Sequence, residues 1–277
     1  MSLDFLHSEP IALSDAELAR FERHGCDAVR GSAAISLAHF RQDVAVDNKA
    51  ASGFDPVTEA DRACEAFIRE QLQRDLPGCG VFGEEAGYTP GDSGLTWVVD
   101  PIDGTRSYVC GVPLWGTLAG LSDGRAPVLG ILYQPYTDEL FVGSRLGARV
   151  ERGGETTPLR TSSITELSTA RLFCTSFEIF TPAERSRFDA VADRARLLRT
   201  GADCYAYAML AAGHADLVVE AGLQCYDIYA LIPIIEAAGG VVSNWTGGDA
   251  SLGGTLVAAA TPELHAQALD LLRGEAP

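Results

Sequence analysis

The segment Trp97-Val-Val-Asp100-Pro-Ile-Asp103-Gly-Thr105 constrains this chain more than any other. An apolar run of strand character ends in two carboxylates three residues apart, and Gly-Thr offers a helix start directly afterwards. Asp-Pro and Asp-Gly are turn dipeptides, so an ordinary turn is one reading of these residues taken alone. Two further acidic features change the weighting. Gly83-Glu84-Glu85 ends the preceding β-like run, and Tyr226-Asp227 heads a segment whose next residues are nearly all apolar, which puts a carboxylate at a buried helix N-terminus. Carboxylates that converge without basic partners repel one another strongly, and cations among them remove that difficulty. Oxygen-only donors, with no His or Cys usable nearby, select a hard ion, magnesium rather than zinc.

At roughly 150 residues per domain, 277 residues make one large domain or two modest ones, long enough to bury most of their apolar surface. Ser14-Asp-Ala-Glu17 is a capping box, and Leu18, Phe21, Val29, Ala33, Leu37 and Phe40 recur near helical period, which predicts a long amphipathic helix. Thr58-Glu-Ala-Asp61 predicts a second helix start with Asp61 in its first turn, and Pro77-Gly78 a stop. From Val81 to Arg152 short β-like runs are divided by turn residues, and Ser122-Asp-Gly-Arg125 predicts a hairpin. Beyond the polar stretch 151–163, strands and helices alternate, with one helix expected over 227–238 and a last one opened by Thr261-Pro262. The expected organisation is two halves. Residues 1–155 place helices on a largely antiparallel sheet and carry most of the acidic motifs; residues 156–277 form an alternating α/β unit that contributes Asp227.

Charge narrows the partners. With 21 basic against 38 acidic residues the net charge is −17, and no Lys/Arg cluster exists to neutralise a run of phosphates, which argues against nucleic acid and anionic membrane surfaces. The start MSLDFLHSEP has neither a basic n-region nor an apolar h-region, and every apolar run falls short of the ~18 residues of a span, so a cytoplasmic location is expected. Seven widely spread cysteines without a CxxC pair suggest neither a disulfide framework nor a zinc site. Lys49 is the only lysine.

Together the acidic blocks resemble those of the inositol-monophosphatase-type, magnesium-dependent, lithium-sensitive phosphatases. The carriers are Pro56-Val-Thr58 with Asp61, Gly83-Glu-Glu85, Asp100-Pro-Ile-Asp-Gly-Thr105, and Asp227 with Glu236-Ala-Ala-Gly239-Gly240, in the family's order. Within the family the chain is most similar to the bacterial histidinol-phosphate phosphatases. That likeness rests on Asp47-Asn-Lys49, Phe54-Asp-Pro-Val-Thr-Glu-Ala-Asp-Arg62, Gly201-Ala-Asp-Cys-Tyr-Ala-Tyr207, Asp216-Leu-Val-Val-Glu220 and Tyr226-Asp227. Asn244 stands before Trp245 where an aspartate is common, a departure that touches no expected metal ligand.

The resemblance implies an α/β fold of layered αβαβα type, a small phosphorylated substrate and a homodimer. It implies that Glu84, Asp100 and the Ile102 carbonyl hold one Mg²⁺ and that Asp100, Asp103 and Asp227 hold a second, activating water for hydrolysis. Glu85 either acts on a third ion or is a solvated neighbour. Thr105, hydrogen-bonded to Asp61, is expected to orient the attacking water, and the amides of Gly104 and Thr105 to hold phosphate oxygens. Asp203 is a helix cap or a substrate contact, and Glu220 a substrate contact, with the amine of histidinol, or an ion pair with an arginine. Lys49 sits on a loop between two helices that is able to fold over the site. The expected activity is hydrolysis of L-histidinol phosphate in histidine biosynthesis, with inositol 1-phosphate or a broad set of sugar phosphates as the alternative and a non-catalytic binding protein as the rival from another class. Covalent phosphoenzyme routes lack their residues: no Cys precedes an Arg by six positions, and neither Asp-x-Asp nor Gly-Lys occurs.

Overall fold

A computed structural model describes residues 9–42, 46–48 and 56–274. Lys49 lies outside the described residues, as do 43–45 and 50–55 of the stretch between the two helices that was expected to be a loop; 46–48 and 56–58 of that stretch are described and are strands.

The first half begins with α1 (Asp15–His39), whose Ser14/Glu17 capping box forms as predicted, then β1 (Val46–Asn48) and β2 (Pro56–Thr58), a two-stranded antiparallel pair. Next come α2 (Glu59–Asp75), β3 (Gly80–Gly83), β4 (Gly87–Thr89), β5 (Thr96–Asp103) and the one-turn helix α3 (Thr105–Val109). A meander follows: β6 (Gly116–Ser122), β7 (Pro127–Gln134), β8 (Glu139–Ser144), β9 (Gly147–Arg152) and β10 (Glu155–Pro158). The sheet order is β10-β9-β8-β7-β6-β5-β3-β4, antiparallel except for β3 beside β5. The polar stretch 151–163, predicted only as a divider, supplies the end of β9, the turn and the whole of β10; with β10 exposed throughout, no hydrophobic alternation marks it.

The second half runs β11 (Arg171–Cys174), α4 (Pro182–Ala192), β12 (Leu197–Thr200), α5 (Asp203–Ala211) and β13 (Leu217–Leu223). Then come α6 (Cys225–Ile228), α7 (Leu231–Ala237), β14 (Val241–Ser243), β15 (Gly254–Ala259) and α8 (Pro262–Arg273). The sheet order is β12-β11-β13-β15-β14, with β11 parallel to both neighbours and β15 antiparallel to β13 and β14. The single helix expected over 227–238 is two helices. Pro233 has no N–H to offer the carbonyl of Tyr229, and the chain breaks there.

Strand periodicity sorts the side chains into layers. On the large sheet Ala119, Ile131, Leu140 and Val142 point to one face, against Leu18, Val29, Ile68 and Leu72 of α1 and α2. Their neighbours Leu118, Leu132 and Phe141 point to the other, where α5 and α7 lie. Val218, Leu256 and Ala258 of the small sheet face that same helix layer, while Leu217, Val219, Val257 and Ala259 face α4 and α8. The order is α1/α2, sheet, α5/α7, sheet, α4/α8, the αβαβα layering that the resemblance implies.

Three cross-strand glycines let the central helix layer approach. Gly120, Gly130 and Gly143 are register partners on β6, β7 and β8, and a Cβ at Gly130 would overlap the carbonyl oxygen of Ala230. No helix among the described residues is long and apolar enough to cross a membrane.

Candidate active site

The register of two parallel strands creates the first contact between acids. Gly83 of β3 pairs with Val99 of β5, so the residues that follow lie side by side: Glu84, just past the end of β3, and Asp100, still paired with Leu118 of β6. The Glu84 amide donates to the carbonyl of Val99 at 3.1 Å, holding that alignment past the end of β3. Asp100 is 2% exposed, and its carboxylate accepts the Ile102 amide at 3.1 Å, which turns the chain so that Asp103 comes back to the same side. Gly104 then takes the left-handed conformation (φ 84°), and a Cβ there would meet that of Asp203 at 3.0 Å.

Asp227 arrives from the other half. It occupies the third position of α6, where its carboxylate accepts the Gln224 amide at 2.7 Å, which aims it at the ends of β3 and β5. One oxygen each of Asp100, Asp103 and Asp227 lies within 4.8 Å of the others. A cavity of about 580 Å³ opens over this trio, between the two halves. Burial first, and then the charges of Glu84, Asp103 and Asp227, push Asp100 well above the usual carboxylate range; burial, with Asp227 and Asp203, does the same to Asp103. Like charges so close in a desolvated place ionise together only beside a cation, and an all-oxygen donor set fits a hard divalent ion.

The remaining predicted residues divide. Glu84, Ile102, Gly104, Thr105, Asp203 and Glu220 all line the cavity, whereas Asp61 and Glu85 do not. Asp61, 1% exposed, accepts the Thr58 amide at 2.8 Å and the Thr58 hydroxyl at 2.5 Å as the third residue of the α2 capping box. The Thr105 hydroxyl donates to the Ile102 carbonyl at 3.1 Å, which directs its one proton there and not to Asp61, the partner expected from the sequence. Asp203 opens α5 in a left-handed conformation (φ 44°) and accepts the Ser107 hydroxyl at 2.6 Å; burial raises its pKa. The next amide, that of Cys204, donates to Asp103 at 2.8 Å, so the positive end of α5 is turned on a member of the trio. Glu220 is no arginine's partner: one oxygen accepts the Thr175 amide (2.7 Å) and hydroxyl (2.6 Å), the other the Tyr207 hydroxyl (3.0 Å). Burial pushes it up to about 7 despite those donors.

Sequence reasoning did not pick out Ser107, Thr175 or Arg106. Arg106 is the one cationic side chain among the cavity's described lining residues, and it meets Glu178 across the rim at 3.3 Å. It follows Thr105 directly, so a basic residue next to the Gly-Thr turn was the available signal.

Residues 17–275 match the model of the inositol monophosphatase family. A bifunctional phosphatase IMPL2, chloroplastic, of Arabidopsis thaliana is 36% identical over 96% of this chain and 79% of its own length. A histidinol-phosphatase of Chlorobaculum parvum is 36% identical over 69% of this chain and 73% of its own. Among solved structures, an inositol monophosphatase from Zymomonas mobilis superposes with a TM-score of 0.81 at 36% identity, over 94% of this chain and all of that one.

Proposed function

The chain belongs to the inositol monophosphatase family and is a phosphoric monoester hydrolase, and from that premise we propose that it hydrolyses L-histidinol phosphate to L-histidinol and phosphate in a Mg²⁺-dependent reaction. The observation that carries the metal-dependent part is the convergence of Asp100, Asp103 and Asp227 at one end of the cavity. In this reading Glu84, Asp100 and the Ile102 carbonyl hold one Mg²⁺, and Asp100, Asp103 and Asp227 another. When bound, such ions lower the pKa of water and neutralise charge on the ester phosphate and the departing alkoxide.

The chain's own groups do the rest. Thr105, its proton engaged by Ile102, offers an oxygen lone pair to the cavity and orients the incoming water as an acceptor. The Gly104 and Thr105 amides hold phosphate oxygens, and Arg106 adds a positive charge at the entrance of an otherwise acidic cavity. Beyond the trio, Asp203 beside Asp103 and Glu220 behind Thr175 and Tyr207 add two more acids to the cavity lining, while Glu178 at the rim is matched by Arg106. An alcohol that carries an ammonium suits these two acids better than a neutral polyol, and the histidinol-phosphatase relative supports the same choice.

Inositol 1-phosphate is the second reading, favoured by the Zymomonas mobilis likeness. Phosphate release from histidinol phosphate, inositol 1-phosphate and glucose 6-phosphate at fixed Mg²⁺ separates the two. Histidinol phosphate is expected to lead in kcat/KM by about tenfold or more, the effect of one charge-assisted contact. A lead for inositol 1-phosphate overturns the substrate while leaving the hydrolase in place.

A further inference from the structure

The turn that carries Glu84 is gripped from α2 by a buried ion pair that lies outside the cavity lining. Glu65 and Arg69 lie one helical turn apart, Glu65 with 1% of its surface exposed, and Arg69 Nε donates to Glu65 Oε1 at 2.8 Å. The same carboxylate accepts the amide of Glu85 at 2.6 Å and that of Ala86 at 3.0 Å. Arg69 donates onward to the Val81 carbonyl and the Thr89 hydroxyl, each at 3.1 Å, and to the Gly87 carbonyl. Gly83 makes room, because a Cβ there would overlap the Glu65 carboxylate. Both strands of the β3–β4 hairpin, and the two amides that follow Glu84, are thus tied to one pair of side chains.

Packing alone does not call for such a pair. Apolar residues at 65 and 69 would continue the stripe of Ile68 and Leu72 on α2 without the desolvation of two charges. What an apolar pair cannot do is accept the Glu85 and Ala86 amides, which otherwise leave the turn free to rotate Glu84 about the end of β3.

We propose that Glu65 and Arg69 are positioning residues that fix the direction of Glu84 toward Asp100 and thereby set the affinity of the acid cluster for a divalent cation; this rests on the reading of Glu84 as a cation ligand. Groups that orient a ligand from behind are worth tenfold to a hundredfold in metal affinity. Glu65 touches neither the cavity nor the trio, so its effect must pass through the turn.

The test is Mn²⁺ binding to the chelator-stripped full chain, followed by the electron paramagnetic resonance of free Mn²⁺, for Glu65→Gln, Glu84→Gln and the double variant, each verified as folded by circular dichroism. Glu65→Gln is expected to weaken the tightest binding step about tenfold. The double variant is expected to match Glu84→Gln, because a residue that acts only through Glu84 has nothing further to lose. Unchanged binding in Glu65→Gln, or losses that multiply in the double variant, overturn the proposal. If Glu84→Gln itself binds Mn²⁺ as tightly as the unaltered chain, the ligand reading fails first, a distinct result. Should Glu65→Gln not fold, Arg69→Lys keeps a charge beside Glu65 while giving up the bonds to Val81 and Gly87. It must weaken Mn²⁺ in the same Glu84-dependent way or the proposal falls.

Discussion

At the scale of single residues, the acidic trio is costly in the metal-free chain and, in the proposed reaction, holds the metal, so its variants should move stability and activity in opposite directions. Asp103→Asn keeps an oxygen for the Cys204 amide and removes one of the mutually repelling, half-buried charges. It is expected to raise the thermal midpoint of the chelator-treated chain, while kcat/KM falls about a thousandfold, roughly 4 kcal/mol of transition-state stabilisation. Thermal melts without metal and phosphate release with Mg²⁺ check the two signs; a variant that is both less stable and fully active contradicts this role. The trio was legible because each member sits in a short contiguous motif whose chemistry is unusual, such as two acids closing an apolar strand. Its supports were not, because they meet their partners across the fold: Thr175 holds Glu220 from 45 residues away and Ser107 holds Asp203 from 96. Glu65 did leave a trace, since it and Arg69 fall on the apolar stripe of α2 with Ile68 and Leu72, where a charge demands a partner.

Among the secondary-structure elements, the position of Asp227 depends on how closely α6 and α7 settle on the large sheet. The glycine stripe of β6, β7 and β8 allows that approach, and a methyl group at Gly130 would occupy the space of the Ala230 carbonyl. Gly130→Ala is therefore expected to cost about 3 kcal/mol or more, and to weaken Mg²⁺ binding because α6 shifts with α7. Urea unfolding and a calorimetric Mg²⁺ titration read the two effects; an unchanged urea midpoint would show that α7 does not rest on β7 through this glycine. Elements with hydrophobic period and capping boxes were predictable to within a few residues, as α1, α2 and the meander from β5 to β8 illustrate. The β9–β10 hairpin was not, being polar and exposed along β10, and the α6–α7 break needed the weight of Pro233 against an otherwise uninterrupted apolar run.

Across the whole molecule, the cavity exists because the two halves meet on their acidic ends, joined there by Cys204 to Asp103 and by Ser107 to Asp203. Bringing these ends together gathers carboxylates, and proton binding then reports on the fold. Burial takes Glu220 from an ordinary 4.5 up to about 7, so between those values the folded chain keeps a proton that the unfolded chain has lost. Stability of the metal-free protein falls as pH rises through that window, by on the order of 3 kcal/mol from Glu220 alone, and the raised pKa values of Asp100 and Asp103 act in the same direction. Below about pH 4.5 this penalty is absent, because both states are protonated. A divalent cation bound to the ionised trio offsets the loss where the acids are charged and has little to hold where they are protonated. The thermal midpoint of the chelator-stripped chain, measured with and without millimolar Mg²⁺ near neutral pH and again near the acid end of the window, puts this to the test. A large Mg²⁺-dependent rise at neutral pH that shrinks on acidification is the predicted result; a midpoint indifferent to Mg²⁺ at neutral pH would mean that the converging acids are not a cation site.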